Sequence, residues 1–214
     1  MSGRAAAAVS ILVLAKQPVA GRVKTRLCPP LTPEGAARLA AAALEDTLEC
    51  VRQVGVVRRV LVLEGAYDAA GFEVQPQRGG PMHERLAAAF DDAAALPALL
   101  IGMDTPQLTP QLLDAAVEAL LASPAVLGLA SDGGWWTLGL QRPDGALLRD
   151  IPTSRDDTGA LQLARLHEHG VAVQALPELR DVDTIEDALA VAELAPDGRF
   201  ARELRAQRRT AHGS

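Results

Sequence analysis

The sequence predicts an α/β fold, a three-layer α/β/α sandwich around a mixed, mostly parallel sheet. Three observations carry that expectation. Val9 to Ala15 and Ala98 to Gly102 are almost wholly apolar, as strands covered on both faces are. Such strands alternate with Ala- and Leu-rich stretches of helical period, the pattern of a sheet layered between helices. Ala125 to Ala130 and Trp135 to Leu140 lie too close together for a crossover helix, so this pair is antiparallel.

Val9 to Ala15 is the first strand. Thr32 caps the helix that follows, with Pro33 in its first turn and Glu34 beside its positive end, and that helix runs to about Val54. Arg59 to Leu63 is the second strand and Phe72 to Val74 a short third. The turn-rich segment from Gln75 to Pro81 leads into a helix over Met82 to Leu96, then the strand Ala98 to Gly102. Thr109 and Pro110 start a helix that reaches Ala122. Beyond the antiparallel pair, Asp157 to His169 reads as a helix with Gly170 past its end, and Val171 to Leu176 as the last strand. Thr184 starts a last helix through Leu194, so residues 1–194 are expected to form one domain. Residues 195–214, Arg-rich and without a clear apolar face, are expected to be a frayed or partly disordered tail.

At 49% hydrophobic residues, the 214-residue chain can bury a full core. Aromatics make up only 3%, too few for base-stacking platforms, and a net charge of −6 opposes a phosphate backbone, so no nucleic-acid partner is expected. Arg4 and the apolar run after it resemble the start of a secretory leader, yet no small-residue cleavage site follows. The run is also too short to span a bilayer, so no membrane partner is expected. Cys28 and Cys50 have no metal-site spacing and read as free thiols of a reducing cytoplasm. Oligomeric state leaves no signal.

Chemistry concentrates where the first strand ends. Lys16, Arg22, Lys24 and Arg26 place cations on one short loop, with the Thr25 hydroxyl among them and Gly21 to turn the backbone. An open α/β sheet binds anions at the carboxyl end of such a strand, so the loop reads as phosphate-binding rather than as a solvated basic turn. Asp104 ends a buried strand, where a carboxylate wants a cation or a ligand. With phosphate oxygens and waters it could hold Mg²⁺ or Mn²⁺; the competing reading is a turn or capping residue.

Gly133 and Gly134 allow close backbone approach, and Asp132 beside them could bind an acceptor hydroxyl or act as general base. Trp135 and Trp136 read equally as a flat wall for a ligand or as hairpin core. Asp183 could complete the metal site or, with Thr184, merely cap the last helix. Asp156 and Asp157 read as capping residues. The histidines lack ligand spacing and read as surface or packing residues, with His83 placed near the expected ligand.

Taken together, Ala15-Lys16-x-Pro18-x-x-Gly21-x-Val23-Lys24-Thr25-Arg26-Leu27, Gly102-x-Asp104-Thr105-Pro106, Asp132-Gly133-Gly134-Trp135-x-x-x-Gly139-Leu140 and Asp181-x-Asp183-Thr184 form a specific pattern. It resembles the DUF2064 family of GT-A-like transferases, from about Val9 to Glu193. More distantly it is similar to the phospholactate guanylyltransferases and the molybdenum cofactor nucleotidyltransferases. Gln77 and Arg85 match the family's nucleotide-binding loop, although Pro81-Met82-His83-Glu84-Arg85 stands where the family usually has Asp-Leu-Gly-x-Arg.

The resemblance implies the GT-A, nucleotide-diphospho-sugar transferase form of the sandwich and an enzyme that binds a nucleotide or nucleotide-sugar donor with Mg²⁺ or Mn²⁺. Lys24, Asp104 and Asp132 are its expected catalytic residues. The donor phosphates fall to the basic loop with Gln77 and Arg85, the metal to Asp104 and Asp183, and a small-molecule acceptor to Asp132, Gly133, Gly134 and Trp135. The family leans to glycosyl transfer. The clustered cations suit a triphosphate and hence nucleotidyl transfer with release of pyrophosphate. A non-catalytic nucleotide-binding module is the third expectation, against which Asp104, Asp132 and Asp183 together speak.

Overall fold

The computed structural model describes residues 5–212. Arg4, weighed above as the start of a leader, lies outside the described residues, as do the last two of the expected tail. The strands are β1 (Ala7–Lys16), β2 (Val56–Glu64), β3 (Glu73–Pro76), β4 (Ala98–Gly102), β5 (Ala125–Ala130), β6 (Trp135–Leu140) and β7 (Val173–Leu179). They form one seven-stranded sheet in the order β3-β2-β1-β4-β6-β5-β7. β6 runs antiparallel to both β4 and β5, and every other pairing is parallel, as the short β5–β6 connection requires.

Residues of β1 alternate between the two faces of the sheet. Val9, Ile11 and Val13 join one core with α1 (Pro33–Arg52) and α3 (Pro110–Ala122). Leu12 joins the other with α2 (Met82–Asp92) and α4 (Thr158–Glu168). This period of two, buried on both sides, is why β1 and β4 read as continuous apolar runs. Two of the expected caps close as anticipated: Thr32 accepts from the Gly35 amide at 3.1 Å and Thr109 from the Leu112 amide at 3.2 Å. Each contributes about 1 kcal/mol to its helix.

Several boundaries differ from the expectation. α2 ends at Asp92 rather than Leu96, and β7 is displaced to Val173–Leu179 because it is an edge strand, half exposed and weakly patterned. The largest difference lies at the C-terminus. After α5 (Ile185–Leu194), the Arg-rich segment expected to be frayed or partly disordered forms a helix, α6 (Arg199–His212). Asp46 of α1 accepts from the Arg199 and Phe200 amides at 3.0 and 2.9 Å, satisfying donors at the start of α6. Phe200 and Leu204, 3% and 1% exposed, seat it on a third apolar cluster with Leu39 of α1, Val191 of α5, Leu27 and Val182. Among the described residues no helix is long and apolar enough to cross a membrane.

Candidate functional site

Sheet geometry gathers the candidate residues at one edge. β1 and β4 pair with Leu14 opposite Gly102, which sets Lys16 and Asp104 at the same level beyond the pairing. β6 is antiparallel to β4, with Thr137 opposite Ile101, so the residues just before it, Asp132 to Gly134, arrive at that same end. β7 ends beside Ala130 and feeds Asp181 and Asp183 into the same rim. This is the carboxyl edge of the parallel strands, beside the point where the chain passes to opposite sides of β1.

Lys24 ties the rim together. It sits in the left-handed region at φ 48°, ψ 38°, just ahead of a 3₁₀ turn over Thr25–Leu27, a conformation that costs a non-glycine residue free energy. Its side chain is only 10% exposed and lies 2.7 Å from Asp104 Oδ1. Nζ also donates to the Val182 carbonyl, and the Val182 amide donates to the Asp104 carbonyl at 2.9 Å. Gly21 turns the loop at φ +74°, as its sequence position anticipates.

Two cavities open on either side of Asp104. The first, about 380 Å³, is walled by Lys16, Arg22, Lys24, Arg26 and Arg85, with Thr25 and Gln77 also in its lining. Each of these cations faces a carboxylate of the same cavity. Glu64 holds Arg85 at 2.6 Å, Lys16 at 3.4 Å and Arg22 at 3.8 Å, while Arg26 pairs with Asp183. Hydrogen bonding from Arg85, joined by the charge of Lys16, draws the Glu64 carboxyl below its ordinary range.

Sequence reading missed Glu64. Its signal is register: the carboxylate closing the apolar run of β2 pairs directly with Lys16. Gln77 is spent largely on the fold, since Nε2 donates to the Ala15 carbonyl at 2.6 Å and to the Val62 carbonyl at 3.2 Å. Its Oε1 is buried without a partner.

The second cavity, about 260 Å³, brings Asp132, Asp181, Thr105, Trp135 and Arg155 to the other side of Asp104. Asp132 Oδ1 accepts from the Gly134 amide at 2.8 Å. Gly133 adopts φ +89°, and a Cβ there would lie 1.8 Å from the Asp156 carbonyl oxygen, so the loop admits no side chain at that position. The tryptophans divide the two readings: Trp135 is a half-buried wall, whereas Trp136 is core, 3% exposed with Nε1 donating to the Pro177 carbonyl at 3.0 Å. Asp157 makes no side-chain cap on α4; it grips Arg155 through two 2.8 Å bonds. His83 accepts from the Asp150 amide at 3.0 Å, a packing role.

Asp181, part of the sequence pattern but given no role of its own there, enters this second cavity. Burial, reinforced by the nearby Asp132 and Asp104 charges and opposed by Lys24, pushes its carboxyl up to about 6. Thr184 takes the cap of α5, in a reciprocal box with Asp187, which leaves the Asp183 side chain to the first cavity. Among the described residues no three His, Cys, Asp or Glu side chains are arranged to hold a metal ion. The donors fit an ion of the Mg²⁺ type held by one or two carboxylates and completed by ligand phosphates and water.

The chain has the fold of a protein from Desulfovibrio desulfuricans described as a candidate nucleotide-diphospho-sugar transferase, with a TM-score of 0.83, 23% identity, and 92% of this chain and 94% of that one covered. A CMP:2-keto-3-deoxy-manno-octonic acid synthetase complexed with CTP gives 0.59 at 14% identity over 89% and 99% of the two chains. Rv0371c from Mycobacterium tuberculosis, in complex with manganese, gives 0.55 at 23% identity over 88% and 99%. No curated protein sequence matches the chain. Residues 47–155 match the family described as uncharacterized proteins conserved in bacteria, DUF2064. With half of its length matched and the basic loop, Asp104 and the Asp132 turn gathered at one rim, the chain belongs to the DUF2064 family.

Proposed function

We propose that the protein is a divalent-metal-dependent glycosyltransferase that takes a nucleotide-sugar donor in the first cavity and a small-molecule acceptor in the second. The observation that carries this reading is the placement of Asp104, tied by Lys24, as the shared wall between a cation-lined cavity and an acidic, half-apolar one. Lys16, Arg22, Lys24, Arg26 and Arg85 would exchange their carboxylate partners for donor phosphates. Asp104 and Asp183 would hold Mg²⁺ or Mn²⁺, which when bound would neutralise charge on the leaving diphosphate. Lys24 would add a fixed cation at that point, in a site where charges are already oriented.

Solved structures of like fold, including the one complexed with CTP, support a nucleotide-handling transferase, and the one in complex with manganese supports a divalent ion. The second reading, nucleotidyl transfer, is favoured by the number of cations in the first cavity, enough to face a triphosphate. A thermal-shift panel of nucleoside diphosphates, triphosphates and nucleotide sugars with Mn²⁺ separates them. Stabilisation by nucleotide sugars, followed by metal-dependent release of nucleoside diphosphate, is the expected result. Release of pyrophosphate from a triphosphate would establish the second reading. Nucleotide binding with neither product would leave a binding module.

A further inference from the structure

We infer that the second cavity selects an acceptor whose reacting group is an uncharged hydroxyl or a cationic amine and excludes one that carries a phosphate; this inference rests on the transferase reading above. Three carboxylates, Asp104, Asp132 and Asp181, reach this cavity, and only Asp104 has a cation partner among the described residues. The guanidinium in the wall, Arg155, is already held by both carboxylate oxygens of Asp157. An acceptor phosphate would therefore meet two carboxylates without a cation partner, beside a guanidinium whose charge is already matched by Asp157.

A second and independent observation points to a ligand. Thr105 also lines the cavity, is 2% exposed, and its hydroxyl has no hydrogen-bond partner. Buried hydroxyls are ordinarily satisfied, so an unpartnered one in a cavity wall marks where a polar group of the occupant belongs. The remaining wall, Leu86, Leu100, Ala130 and Trp135, is apolar and suits the carbon body of such a molecule.

The step balances without a further reactant. The acceptor hydroxyl oxygen, or the nitrogen of an amine that has first released one proton to water and so carries a lone pair, forms a bond to the anomeric carbon of the donor sugar, and the bond from that carbon to the diphosphate oxygen breaks. The nucleoside diphosphate leaves with the bonding electrons, and the acceptor's proton passes to the Asp132 carboxylate.

Both tryptophans of the chain line this cavity, so intrinsic tryptophan fluorescence reads it in isolation from the first. Cyclohexanol, cyclohexylamine and cyclohexyl phosphate, matched in body and differing in charge, are titrated against the full chain. Saturable fluorescence changes are expected for the alcohol and the amine, each at least about tenfold tighter than the phosphate. Asp132→Asn, which retains an oxygen for the Gly134 amide, should weaken the amine by about tenfold and the alcohol by less. Equal or tighter binding of the phosphate overturns the inference, and so does a flat signal from all three probes. Failure of the donor reading shows separately, as absence of nucleotide stabilisation with Mn²⁺ while the fluorescence ranking stands.

Discussion

Lys24 joins a costly backbone conformation to a nearly buried ammonium, and both make sense only if the charge must stand at one point. Lys24→Ala removes its bonds to Asp104 and to Val182 together. A lost hydrogen bond to a charged group is worth about 2 kcal/mol, so affinity for a nucleoside diphosphate should fall roughly thirtyfold by isothermal titration. Glu64 works in the opposite sense. It occupies Lys16, Arg22 and Arg85 whenever no phosphate does, and a diphosphate must displace it from three cations. Glu64→Gln should therefore tighten diphosphate binding by about 1 kcal/mol, the scale of a partly exposed ion pair. If the same titration shows weaker binding instead, Glu64 orders the cations more than it competes for them.

The Asp132 loop and α6 show how whole segments hold these side chains. Gly133→Ala would drive a Cβ into the Asp156 backbone, which no rotamer change relieves. A loss of at least about 3 kcal/mol by denaturant unfolding is expected, since strain and clash add. α6 acts from further away. Its Phe200 shares a cluster with Leu27, next to the basic loop, and Val182, whose carbonyl receives Lys24. Phe200→Ala should cost about 4 kcal/mol and also weaken nucleotide binding at temperatures where the variant is still folded. Stability loss with unchanged affinity would show that the helix supports only itself.

These two segments also mark what sequence can disclose. β1 and β4 are legible because burial on both faces leaves no polar residue to blur them, and the Thr32 and Thr109 caps are legible because capping is local. α6 escapes notice because its docking face reduces to Phe200, Ala201 and Leu204 on an otherwise charged helix. Its fit depends on Asp46 of α1, 154 residues earlier. The same limit hides Glu64 and the part played by Asp181: each takes its place in the site only through strands brought alongside by the fold.

Coupling between the cleft and global stability follows from the way the cavities are built. The loops that would close on a donor are tied into the cores through Val23, Leu27 and Val182, so a ligand that clamps them must also oppose unfolding of the domain. Cys50 offers a direct probe. It is 4% exposed on α1, and burial pushes its thiol up to about 12, so alkylation needs an opening that brings it to water. Cys28, half buried near the loop, should react first.

A nucleoside diphosphate with Mn²⁺ at 100 times its dissociation constant stabilises the folded state by about 2.7 kcal/mol. The expected melting shift is roughly 5 to 11 °C for a chain of this size. Where opening precedes labelling and is global, Cys50 alkylation should slow by about the same hundredfold factor. EDTA should abolish most of both effects if Asp104 and Asp183 hold the ion, and Asp104→Asn should do the same in the presence of Mn²⁺. Undiminished protection under either condition would mean that the loop cations bind the phosphates without a metal, and the role assigned to Asp104 would have to be withdrawn.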